Sequence, residues 1–205
     1  TYINLRWIGI IGQLITVNLI YFVFNFKFEI ILENLIIIIG ILSNLYLVYI
    51  NKNTQLLDKT AFLFLLIDVL QLSCLMYLTG GILNPFSIFL IIPTIFSSSS
   101  LGLKSNLLLA SITILMIIFL TFFNQPLPYP VNQHFHVDSY YYYSLPISLT
   151  IALMFLNYFA LTFGKESRIR KEALNKMEEI MSKEHELLSL GGQAAAAAHS
   201  LGTPF

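Results

Sequence analysis

The chain has 205 residues, of which 57% are hydrophobic and only 11% charged, with a mean hydropathy of +0.76. A soluble domain carries about 25% charged residues, so this composition excludes an ordinary water-soluble enzyme and describes a chain solvated mainly by lipid. The formal net charge is zero, and the lone Cys74 excludes a disulfide framework or a multi-cysteine metal site. Basic residues are not interleaved with aromatics, so no direct nucleic-acid partner is expected.

Hydrophobic runs near the length needed to cross a bilayer, roughly 20 residues, recur along the chain. The first is expected over Ile3–Phe26, with Arg6 and Trp7 as an interfacial anchor pair at its start. A short turn with Lys27 and Glu29 leads to a second span over Ile30–Ile50, and Asn51–Thr60 reads as a polar loop carrying Lys52, Asp58 and Lys59. The third span is expected over Ala61–Thr79, followed by a tight re-entry at Gly80–Ser87. A fourth, Ile88–Leu103, contains Pro93 and the serines Ser97–Ser100, which are expected to bond back to their own helix and permit close packing. The fifth covers Ser105–Phe123. A loop rich in proline and tyrosine, Asn124–Ser144, precedes the sixth, Leu145–Gly164. The tyrosines Tyr140–Tyr143 read as an interfacial belt.

Six spans place both ends of the chain on one side. With the charged tail Lys165–Leu190 inside, ten of the eleven basic residues fall inside and only Lys27 outside, so the positive-inside rule puts both termini in the cytoplasm. The expected fold class is an all-α integral membrane protein: six transmembrane helices and a cytoplasmic helical, coiled-coil-like dimerisation segment. The expected domains are a transmembrane unit over 1–164, a linker over 165–190, and the start of a further helical domain over 191–205.

Within the spans, Asp68 is an intramembrane carboxylate and a functional candidate by default. Its expected state is protonated, or paired with Gln13, Asn18 or Asn44 of neighbouring spans, as structural glue. Gln71 lies beside it on the same helical face. Apolar positions at Leu174, Met177, Met181 and Leu188 in the linker follow a heptad interrupted by Glu184. They suit a short two-chain coiled coil, or equally a solvated single helix with one apolar stripe. His134, His136 and Asp138 alternate along the external loop and would share a face only if it were a strand; without more ligands they make a weak metal motif.

Two stretches carry chemistry. Gly192–Phe205 places His199 at the end of a five-alanine run and five residues before Pro204. Alanine favours helix and lets a second helix approach closely, and Pro204 is expected to bend or end that helix just past the histidine. On spacing alone, His199 could be a nucleophile presented to another domain, but an exposed helix histidine is the favoured reading. The second stretch is Gly80-Gly81-Ile82-Leu83-Asn84-Pro85-Phe86. Its glycines allow a sharp turn, Asn84 offers an amide, Pro85 starts the next helix and Phe86 supplies a flat apolar face. A ring with carbonyl acceptors, such as a quinone headgroup, could stack on Phe86 and bond to Asn84; an ordinary turn between two helices has the same composition.

The segment His199-Ser200-Leu201-Gly202-Thr203-Pro204-Phe205 resembles the phospho-acceptor box of two-component sensor histidine kinases, and the preceding alanines narrow the resemblance to the redox-responsive RegB/PrrB family. Gly80-Gly81-x-x-Asn84-Pro85-Phe86 is similar to the heptad with which that family senses ubiquinone between its third and fourth spans. The resemblance therefore covers essentially the whole chain. It implies a homodimeric protein-histidine kinase of the bacterial inner membrane with His199 as phospho-acceptor and Thr203 at a position used to orient water for phosphatase action. Gly80, Gly81, Asn84, Pro85 and Phe86 would form the quinone site. A cognate response regulator would receive the phosphoryl group, with ATP and Mg held by a separate C-terminal domain, so that this segment alone is expected to be inactive. One departure matters: the family has an acid directly after the histidine, where this chain has Ser200, and weakened autophosphorylation is the expected consequence. The rival readings are a non-catalytic receptor, whose lost activity Ser200 would mark, and a transporter-like protein with an oligomerising tail; the sparse intramembrane charges, Asp68 and Glu33, count against the substrate path of the latter.

Overall fold

A computed structural model describes residues 2–50, 58–128 and 138–202. The described residues are helical throughout their regular elements: α1 (Tyr2–Phe22), α2 (Ile30–Ile50), α3 (Asp58–Leu78), α4 (Ile91–Ser100), α5 (Leu103–Phe122) and α6 (Ser139–Leu201). Two 3-10 segments, Gly81–Leu83 and Pro85–Leu90, stand between α3 and α4. Among the described residues, five helices are long and apolar enough to cross a membrane: α1, α2, α3, α5 and α6.

The fourth span differs from expectation. Its α-helical part is only the ten residues of α4, preceded by six residues of 3-10 helix. A 3-10 helix rises about 2.0 Å per residue against about 1.5 Å in an α-helix. Together the two pieces reach about 27 Å, close to the bilayer's hydrocarbon thickness of about 30 Å. The stretched geometry lets sixteen residues do the work of a longer helix.

The chain divides into two compact units, Thr1–Leu161 and Thr162–Phe205. In the first, α1 pairs with α2, while α3 packs against α2, α4, α5 and both 3-10 segments. α3 is accordingly buried on several faces, through Ala61, Leu65, Val69, Leu75 and Met76 among others. Gly40 of α2 makes room for Gln71 of α3: a Cβ there would stand 2.7 Å from the Gln71 Cδ. Large apolar side chains such as Ile31, Leu42, Leu115 and Phe155 point outward. Lipid solvates such faces, so they need no partner, and helix association relies instead on close packing and interhelical hydrogen bonds.

One set of such polar contacts lies where α4, α5 and α6 meet. Asn106 and Asn157 exchange amide hydrogen bonds at 3.0 and 3.1 Å, and the Asn106 amide also donates to the Ser97 hydroxyl at 2.6 Å. The Thr94 and Thr113 hydroxyls pair at 2.7 Å. Ser97, Ser98, Ser99 and Ser100 each donate to a carbonyl three or four residues back, as expected. Among the tyrosines, Tyr140, Tyr141 and Tyr143 are exposed, whereas Tyr142 turns in and donates to the Thr121 carbonyl.

Asp58 corrects a boundary. It is not part of the preceding loop but the first residue of α3, where its carboxylate accepts from the Gly102 N–H at 3.0 Å and the Ser105 hydroxyl at 3.2 Å. An acid from α3 thereby caps α5, whose own preceding residue, Gly102, has no side chain to do so. The adjoining loop residue Lys52 lies outside the described residues.

Candidate functional site

The turn after α3 needs both of its glycines. Gly80 has φ 101° and Gly81 φ 60°, in the left-handed region where a side chain is strained. A Cβ on Gly81 would also stand 2.5 Å from the Leu120 carbonyl oxygen, and one on Gly80 would stand 2.8 Å from the Leu127 Cα. The chain then runs through Asn84 in extended conformation to Pro85, which opens the second 3-10 segment.

Asn84 is largely committed to this turn. Its side-chain oxygen accepts from the Phe86 N–H at 2.9 Å, capping the segment, while its amide donates to the Thr79 hydroxyl at 2.7 Å and the Thr79 carbonyl at 3.1 Å. Both amide hydrogens are thus directed at Thr79, which leaves one oxygen lone pair. The free amide expected from the sequence is therefore a structural clamp. Phe86 is half-buried and pairs with Phe89 at a ring separation of 5.8 Å.

Asn84, Pro85 and Phe86 lie on the wall of a cavity of about 930 Å³ bounded by α1, α3 and the 3-10 segment. Its lining follows α1 from Tyr2 to Ile20, about 27 Å of helix at 1.5 Å per residue. The walls are mostly apolar, with polar groups at Gln13, Gln71 and Thr79. Glu33, from the first turn of α2, also stands in the wall. It has no exposed surface, and neither carboxyl oxygen has a hydrogen-bond partner among the described residues.

The opposite end of the cavity holds an ion pair that hydropathy does not predict. Arg6 is not an interfacial anchor: it is buried, and its guanidinium meets the Asp68 carboxylate at 2.7 and 2.9 Å. The Tyr2 hydroxyl donates to the other Asp68 oxygen at 2.8 Å. Arg6 also donates to the Ser43 hydroxyl at 3.0 Å and lies over the Phe64 ring at 5.4 Å. Arg6 thus ties α1 to both α2 and α3. The candidate partners named for Asp68 are used elsewhere. Gln13 accepts from Gln71 at 3.1 Å, Asn18 bonds Asn34, and Asn44 lies near Arg6 at 3.5 Å. A full positive charge outcompetes an amide for a carboxylate in a low-dielectric setting. With Arg6 removed from the ten basic residues expected on the inner side, nine remain against Lys27.

In the second unit, α6 remains helical through the alanine run and past His199, ending at Leu201 with a bend at Gly202. Thr203, Pro204 and Phe205 lie outside the described residues, as do His134 and His136. Among the described residues no group of three or more His, Cys, Asp or Glu could hold a metal ion. Leu174, Met177, Met181 and Leu188 are all exposed along the helix. Lys183 and Glu179 make an exposed pair one turn apart at 2.6 Å, of a kind that contributes little.

Comparison with known proteins fits this architecture. The chain is 29% identical over all 205 residues to the sensor histidine kinase RegB of Cereibacter sphaeroides, and spans 44% of that protein's length. A RegB from a designated strain of the same species is 29% identical over 89 residues, 43% of this chain and 19% of the relative. No solved structure matches the chain. The resemblance to the RegB/PrrB kinases drawn from the two motifs is thereby borne out at the level of overall similarity. A family profile described as the PilS-like transmembrane domain, a six-span unit, matches residues 14–173, and the chain, an all-α integral membrane protein, belongs to that family.

Proposed function

We propose that this chain is the membrane sensor and dimerisation region of a two-component histidine kinase that responds to redox state through a ubiquinone-type quinone. The observation that carries the reading is the similarity to a sensor histidine kinase over the full 205 residues, through both the turn at Gly80–Phe86 and the histidine box. The protein works as a homodimer in the bacterial inner membrane with both termini cytoplasmic. Its exposed stripe at Leu174, Met177, Met181 and Leu188 is the seam between two copies.

In this reading a separate ATP-binding domain, with Mg, presents ATP to His199. An imidazole nitrogen attacks the γ-phosphorus, a P–N bond forms, and the bond to the ADP oxygen breaks. The phosphoryl group then passes to a cognate response regulator, and Thr203, by its position in the motif, would orient water for dephosphorylating that regulator. Ser200 cannot hold the second imidazole proton as an acid would, so the rate is low.

The residues around the cavity fit a quinone. Phe86 offers a ring face, the long apolar wall along α1 suits an isoprenoid tail, and the Glu33 carboxyl is a buried polar group without a partner. When bound, the quinone supplies a ring whose oxygens accept hydrogen bonds in the oxidised form and donate them in the reduced form. Gly80 and Gly81 hold the turn, Asn84 caps it, and Pro85 and Phe86 present the surface that meets the ring. Signalling requires that the two redox forms favour different arrangements of the helices.

The test uses the intact kinase in proteoliposomes, with His199 phosphorylation followed as a short-chain ubiquinone is switched between oxidised and reduced forms. Phosphorylation should depend on redox state in the wild type, lose that dependence in Phe86→Ala, and vanish in His199→Gln. Ser200→Glu should raise the rate. A His199→Gln protein that is still labelled would refute the assignment of the phospho-acceptor. Redox dependence that survives Phe86→Ala would refute the quinone site.

A further inference from the structure

Among the described residues, Glu33 is the one buried side chain around the cavity whose polar atoms have no hydrogen bond. Asp68 has Arg6 and Tyr2, Gln13 has Gln71, and Asn84 has Thr79 and Phe86. Glu33 has no exposed surface and no hydrogen-bond partner at either carboxyl oxygen among the described residues. Leaving a buried polar group unsatisfied costs about 1–3 kcal/mol, and more when it is charged. Leucine or isoleucine would serve better if packing were the only demand, and the neighbouring α2 positions Leu32 and Ile36 show that apolar residues suit this helix. An uncompensated acid in a cavity wall is a mark of a ligand contact.

We propose that Glu33 is the polar anchor on α2 for the headgroup of the cavity ligand, acting across the cavity from the Gly80–Phe86 turn. This rests on the quinone reading above and deepens it by naming the hydrogen-bonding group that Asn84, occupied by its own turn, supplies only in part. Glu33 has three rotatable side-chain bonds, and ligand binding turns its carboxyl toward the cavity. There it accepts from a ring hydroxyl as a carboxylate, and as a carboxylic acid it also donates to a ring carbonyl. Occupancy then bridges α2 to the turn that follows α3, joining the α1–α2 pair to the remainder of the transmembrane unit through the ligand. No proton or electron need leave the ligand for this contact to form.

The experiment measures binding of a short-chain ubiquinone and its quinol to the full chain in nanodiscs, with protein-free nanodiscs as the baseline that partition into lipid sets. Glu33→Leu should raise the melting temperature, because it removes an unsatisfied buried acid, while weakening headgroup binding about ten-fold or more. Glu33→Gln, which both donates and accepts, should stay within about three-fold of wild type. A difference infrared spectrum on adding the quinol should show a shift of a carboxyl C=O band that is missing in Glu33→Leu. If Phe86→Ala abolishes binding but Glu33→Leu binds as the wild type does, Glu33 is a structural acid and the inference is overturned while the quinone reading stands. If the wild type binds neither redox form above the baseline, the quinone reading fails, and the anchor role falls with it.

Discussion

Removing the Asp68 carboxylate strands the Arg6 charge. The Arg6 side chain is 4% exposed and that of Asp68 17%, and the two meet at 2.7 Å inside a cage completed by Tyr2, Ser43 and Phe64. At an effective dielectric constant of about 20, two unit charges about 4 Å apart attract by roughly 4 kcal/mol. Breaking a buried pair by deleting one partner typically costs about 3–5 kcal/mol, whereas replacing both partners with apolar groups is often near neutral. Asp68→Ala should therefore lower stability by about 3–5 kcal/mol, and the double change Arg6→Met with Asp68→Leu should restore most of it. Reversible unfolding in mixed micelles, followed by the fluorescence of Trp7, the chain's single tryptophan, measures both variants and their coupling. A cost below about 1 kcal/mol for Asp68→Ala, the range of an exposed pair, would show that Arg6 escapes to the membrane surface. The reasoning that makes this pair the clasp of α1, α2 and α3 would then be refuted.

Two further changes probe the rest of the transmembrane unit. Gly81→Ala should destabilise by about 2–5 kcal/mol, combining about 1–2 kcal/mol for a left-handed backbone with about 1–3 kcal/mol for overlap at the Leu120 carbonyl. A thermal melt unchanged from wild type would rule out the strained turn. Asn157→Leu removes the reciprocal amide pair but leaves Asn106 bonded to Ser97 and Thr94. At about 0.6 kcal/mol per interhelical bond in a membrane, it should cost about 1–2 kcal/mol, and Asn106→Leu should cost more. Equal costs for the two, read from the same unfolding titration, would remove Asn106 as the centre of the cluster.

Much of this protein was legible from residue order because the lipid imposes a rule that acts locally. Every backbone polar group must be satisfied within the membrane, so a long apolar run becomes a helix of about bilayer length wherever it lands in the fold. Ile30–Ile50 therefore matches α2, and the Ser97–Ser100 back-bonds follow from each serine's own neighbours. The positive backbone angles of Gly80 and Gly81 likewise belong to a turn whose chemistry is written in adjacent residues. What tertiary structure alone decided is which distant polar groups meet. Arg6 and Asp68 are 62 positions apart, and at the start of a span an arginine looks like an anchor until a carboxylate on another helix claims it. Asn84 looked free until Thr79 and Phe86 were placed around it, and Glu33 looked like one more sparse charge until the fold left it unpartnered in a cavity wall. Hydrogen bonds and ion pairs form between whatever helices pack side by side. That choice is made by shape and charge across the whole unit rather than by any single stretch of sequence.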